Sequence, residues 1–269
     1  MTSSTFHHES ELARSLSNNQ EHAVATAPLT QSAPEVAVSV TVPADARLAV
    51  LRLVVDFAAA NGPVRVGLDL ELVRLLLLAL LLEVVRLLTL RPVALAAALD
   101  KLADGQLPPD VLAVIRTMVR DALARCAELP AERREYATGL LPATAAALGA
   151  NAEPRITGIA ATAEGYDLAL TAANGAAFAV SVTLPEHLFA SVVEGVLASA
   201  ALVAAAPSHS EARGLVRNLA NGYAIGELSD AVSFVITAAL HASPELSKTH
   251  KNAFMGLPSV QRLVDRFAA

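Results

Sequence analysis

Apolar and polar positions along this chain follow two repeats, and each predicts its own elements. From Ala231 to Leu240 only Ser233 and Thr237 break an apolar run. A helix apolar on every side must lie centrally in a domain. This helix opens near Asp230, and either the Ser229 hydroxyl or the Asp230 carboxylate could cap it by accepting free amide hydrogens of its first turn. In the following "LPSVQRLVDRF", Val260, Leu263, Val264 and Phe267 fall at i, i+3, i+4 and i+7, one core-facing stripe. The opposite face carries Ser259, Gln261, Arg262, Asp265 and Arg266, free for solvent or a partner.

The period of two comes first in the chain. Val36 to Val42, "VAVSVTV", alternates with β-branched residues and reads as a strand that Pro43 ends. Asp45 then starts a helix through Asn61, with Leu48, Leu51 and Val55 among its apolar residues, and Gly62 and Pro63 stop it. Val64 to Gly149 reads as helical, divided into four helices by Arg91–Pro92, the Gly105 to Pro109 stretch and Pro130. Strands return between Arg155 and Val182, separated by the turn pairs Glu164–Gly165 and Asn174–Gly175. Thr183 then starts a helix reaching Leu202, with Pro185 and Glu186 in its first turn.

Composition narrows the function classes. Residues 1–35 are rich in Ser, Thr, Asn and Gln without periodicity and are expected to be a tail. A hydrophobic share of 54% in 269 residues is ample for a core. The net charge of −6 argues against the chain gripping a phosphate backbone by itself. The single cysteine, Cys126, excludes an internal disulfide, fits a reducing, cytoplasmic setting and reads as a buried thiol. The run "LLLLALLL" from Leu75 to Leu82 is bracketed by Arg74, Glu83 and Arg86. It is too short for a bilayer and reads as a core segment, so no membrane span is expected. The polar start "TSSTFHHESE" lacks the pattern of a secretory signal, and the adjacent His7 and His8 there are not expected to hold zinc.

Three ordered stretches carry a resemblance. They are "VSVTVPADARLAVLRLVVDF", the Asn174–Gly175 turn followed by Thr183–Leu184 and His187–Leu188, and "NGYAIGELSD" leading to "PSVQRL". Together they resemble the glutathione S-transferase-like domains that organise aminoacyl-tRNA synthetase complexes. Glu227 stands where that family has a capping Ser or Thr, and Leu263 replaces its tryptophan. The resemblance implies an α+β, helix-rich, glutathione S-transferase-like fold with a small mixed-sheet α/β half and an all-helical half. Residues 36–63 and 150–200 would form the first, 64–149 a helical insertion, and 201–269 the second.

Carried over, the family's interfaces fall near His187, Leu188 and Ser191, and on Ser259, Arg262, Asp265 and Arg266. The implied partners are glutamyl, glutaminyl or methionyl synthetases, or a second copy in a homodimer. Transfer RNA would be met only indirectly or through a further C-terminal domain.

Catalysis finds little support. Where a working transferase has its hydroxyl or thiol, the chain has Val42, Pro43, Ala44 and Asp45, and Val180 stands in the place of the acid beside Ser181. No phosphate loop or Cys/His metal spacing is present, so no cofactor or metal is expected. His187, His209, His241 and His250 are scattered and read as surface or satisfied histidines. The alternative is a helical regulatory protein with a degenerate histidine-kinase-type ATPase fold, suggested by "AANGAAF" and "EARGLVRNLA". Ala173 replaces the aspartate that such a site needs.

Overall fold

The computed structural model describes residues 54–59, 62–141, 153–225 and 227–268. The chain is α+β and helix-rich. A β-hairpin of β1 (Val54–Ala59) and β2 (Gly62–Gly67) leads into α1 (Leu70–Leu88), α2 (Pro92–Ala103), α3 (Pro109–Arg125) and α4 (Ala131–Leu140). Then come β3 (Arg155–Ala161), β4 (Gly165–Thr171) and β5 (Ala177–Thr183). The remaining helices are α5 (Glu186–Ala205), α6 (His209–Ala220), α7 (Leu228–Ala242), α8 (Lys248–Met255) and α9 (Pro258–Ala268).

One continuous apolar core joins the early and late helices. Leu76, Leu80 and Leu81 of the leucine-rich run are fully buried, and α1 packs on α3 and α7. The run is therefore a core segment, as its bracketing charges implied. Helix α7 is apolar all round and buried from Ala231 to Leu240, packed between α5 and α9. Helix α5 has the length and composition to cross a membrane, but it is a central core helix that packs on α3, α6, α7 and β2. Helices α1 to α4 share this core with α5 and α7.

The helix expected from Asp45 to Asn61 is not there in its described part. Val54–Ala59 is a strand, antiparallel to β2 with Ala59 opposite Gly62 and Ala58 opposite Pro63. Val55 fits a helical stripe and a strand equally well, and neighbouring Val54 and Phe57 favour the pleated form. Val64 and Val66 of β2 are buried, so the hairpin adds to the core. The strand reading of Val36–Val42, the tail, His7 and His8 lie outside the described residues.

The second sheet is a meander, β3-β4-β5, antiparallel throughout. The mixed sheet implied by the resemblance is not seen among the described residues. Both turn pairs do separate strands. Gly175 has φ +80°, a left-handed conformation open to glycine, and the Asn174 side chain accepts the Ala176 N–H at 3.0 Å. At the other turn, Gly165 N–H donates to Thr162 Oγ1 at 3.0 Å and the Thr162 N–H to the Gly165 carbonyl at 2.9 Å. Thr183 ends β5 rather than capping the next helix; Pro185 is the residue before α5 and contributes no side-chain cap.

Candidate functional site

The residues singled out from sequence gather at two places, and the more open one is α9 where it lies on α2, α7 and α8. Val260, Leu263 and Val264 are buried, which fixes α9 by its apolar stripe. Ser259 does not stand on the open face. It is buried, and its hydroxyl donates to Asp100 of α2, so it anchors the helix rather than meeting a partner.

Arg266 reaches across to α7, its Nη1 2.7 Å from Asp230 Oδ2. Arg262 lies 3.6 Å from Asp104 at the C-terminal end of α2, and both side chains remain more than half exposed, 58% and 61%. Asp265 is exposed and accepts from Gln261 Nε2 at 3.1 Å. The outward face thus offers Arg262, Asp265 and Arg266 on a helix held in place from three sides.

The expected caps of α7 have other work. The helix starts at Leu228 after Glu227, which makes no side-chain cap bond. Ser229 Oγ instead donates to the Gly105 carbonyl at 3.1 Å, and Ser233 Oγ to the Leu102 carbonyl at 2.6 Å. Two α7 hydroxyls therefore tie down the C-terminal end of α2, one at the Leu102 carbonyl, which also accepts the Gly105 N–H, and one at the Gly105 carbonyl just beyond the helix. Gly105 (φ +85°) turns the chain there, with the Gln106 N–H bonded to the Lys101 carbonyl at 2.9 Å. Asp230 serves Arg266, not the first-turn amides.

The other predicted patch is on α5, and α7 separates it from α9. Leu188 is 5% exposed and belongs to the core, which removes it from any surface patch. His187 and Ser191 are exposed, with Ser191 Oγ donating to the His187 carbonyl at 3.0 Å. Neighbouring atoms desolvate the His187 ring enough to lower its pKa.

Cys126 is buried with its sulfur 3.5 Å from Glu128 Oε2, and burial pushes its pKa up, so the thiolate that a nucleophile needs is disfavoured. Among the described residues no group of three or more His, Cys, Asp or Glu is placed to hold a metal ion. Sequence reading missed three carboxylates that organise the fold. Asp69 accepts the Glu71 N–H at 2.8 Å at the start of α1 and pairs with Arg125 at 2.8 Å, which together hold its carboxyl below the usual range, the Arg125 bond contributing most. Asp100 receives Ser259, and Glu245, between α7 and α8, accepts the backbone N–H of Ser181 on β5 at 3.1 Å. For Asp69 a signal existed, an acidic residue just before an apolar run; for the other two, partners far apart in sequence gave none.

No protein-family model, curated protein or solved structure matches the chain.

Proposed function

We propose that this chain is a noncatalytic interaction module that works as a scaffold in the cytoplasm, docking partners on the outward face of α9. The observation that carries the reading is how α9 is mounted. Its inner stripe is buried and Ser259 ties it to α2, while Arg262 keeps an exposed guanidinium beside an equally exposed Asp104. A rigid helix presenting a planar cation can hydrogen-bond and stack at once across an interface, which is why arginine is enriched among residues that dominate binding. The burial of Cys126 also fits a module without a nucleophile.

The partners follow from the resemblance of the sequence to synthetase-organising domains: glutamyl, glutaminyl or methionyl synthetases, with transfer RNA held by the partner. The test is light scattering of the full chain with each synthetase, for wild type and Arg262→Ala, with circular dichroism to verify folding. Arg262→Ala should leave stability within about 0.5 kcal/mol, as for an exposed side chain. It should weaken the complex on the order of thirtyfold, the loss of a binding hot spot. Failure to bind any of the three synthetases, or a complex indifferent to the substitution, overturns the reading.

A further inference from the structure

The two edges of the β3-β4-β5 sheet are treated differently by the rest of the chain. Along β5, Glu245 takes the outward N–H of Ser181, and α1 and α7 pack against the strand. β3 lies at the far side of the sheet from that attachment, and among the described residues no backbone hydrogen bond reaches its outer edge. Natural sheets guard an open edge with charges, prolines or bulges. β3 opens on Arg155, just after Pro154, but from Ile156 to its end at Ala161 it has neither charge nor proline. Its one irregularity, a shift between Ile156 and Gly158, leaves Gly158 to Ala161 in regular register.

The register also fixes which side of the sheet each residue occupies. Ile159, Leu168 and Val180 form one row across the core side, and Gly158, Ala169 and Ala179 one row across the outer side. Leu168 is fully buried, whereas Ile159, at the edge of the same row, is 37% exposed. Among the described residues its row stops at β3, with no further strand beyond it.

We infer that β3 is the seam of a homodimer, in which β3 of two copies pair antiparallel about a two-fold axis through Ile159 and make one six-stranded sheet. Facing residues of an antiparallel pair share a side of the sheet, so a symmetric seam must set core-side residues opposite each other. An axis through Ile159 does this and covers each exposed isoleucine with the partner's Ile159. It sets Gly158 opposite the partner's Ala160, where the side chains are small and flat. Because the segment has no charge, symmetry brings no like charges together, which suits a second copy of this chain over a charged strand of another protein. The seam uses a surface other than α9 and does not rest on the synthetase reading.

Sedimentation velocity of the full chain over a concentration series tests it, with Ile159→Lys and Ile159→Cys. Wild type should dimerise, and Ile159→Lys should raise the dimer dissociation constant at least about tenfold by opposing two ammonium groups, with an unchanged circular dichroism spectrum. Ile159→Cys, the milder change, should form a covalent dimer on oxidation, while buried Cys126 does not. A wild-type monomer throughout the series overturns the inference. If removing residues 1–43 then releases a dimer, the edge belongs to the chain's own N-terminal segment. A dimer that survives Ile159→Lys and fails to cross-link through position 159 also overturns it.

Discussion

Gly165→Ala offers the sharpest test of the packing described here, because two opposing effects can be weighed. A Cβ at Gly165 would lie 2.1 Å from the Val182 carbonyl oxygen, 2.7 Å from Leu184 N and 2.8 Å from Thr183 Cα. All three are backbone atoms, two at the end of β5 and one in its link to α5, so no side-chain rotation relieves the contact. Alanine narrows the unfolded ensemble and by itself would stabilise by about 0.4–1 kcal/mol. Overpacking of this kind costs about 1–3 kcal/mol. Forcing the strands apart also strains the bonds between Gly165 and Thr162, each contributing about 1 kcal/mol. The clash wins, with a net loss of about 2 kcal/mol and a melting temperature lowered on the order of 5 °C. Gly214→Ala is the control: it lies inside α6 with nothing within 4 Å of the added carbon. There the helix propensity of alanine should stabilise by about 0.5–1 kcal/mol. Thermal melts of both variants decide the matter, and a Gly165→Ala protein as stable as wild type would refute the close approach.

Other outcomes follow from the ion pairs. Since its partners lower the Asp69 pKa in the fold, its contribution is complete above the unfolded value near 3.9 and is lost as pH falls through the folded one. The stability gap between wild type and Asp69→Asn should therefore close in acid below about pH 4; a gap constant in urea titrations from neutral to strongly acid pH would contradict the assignment. Asp230→Ala removes the bond to Arg266 but no cap, and with both groups partly exposed the loss should stay under about 1 kcal/mol. Arg266→Ala should match it, and the double variant should add little; a much larger loss for Asp230→Ala alone would restore a capping role.

The periodic elements were legible because their pattern has one solution. The all-round apolar α7, the one-sided α9 and the turns at Gly165 and Asn174–Gly175 stand where composition and spacing put them, and the four early helices fall between the expected Gly and Pro breaks, although residues 64–67, expected to be helical, belong to β2. The β1–β2 hairpin was not, although Asn61–Gly62 is a strong hairpin pair. An alanine-rich approach, "DFAAA", made the same glycine look like a helix stop. On α9, a helical wheel separates apolar from polar positions but does not distinguish exposed polar groups from those bonded to a neighbouring helix. Ser259 met Asp100, more than 150 positions away along the chain, and only tertiary structure could supply that partner. Ser229 and Asp230 failed as caps for the same reason: nearby helices claimed their side chains first.

Glu245 has a consequence for growth. Its second oxygen takes the Ser243 hydroxyl at 2.5 Å, so the carboxylate is held in place when it covers the Ser181 amide. A sheet with two bare margins can add copies head to tail without end, the geometry of a fibre. A sheet with one margin stoppered can extend only at the other, and here Glu245, in the loop between α7 and α8, stoppers the β5 margin together with the helices α1 and α7 packed beside it.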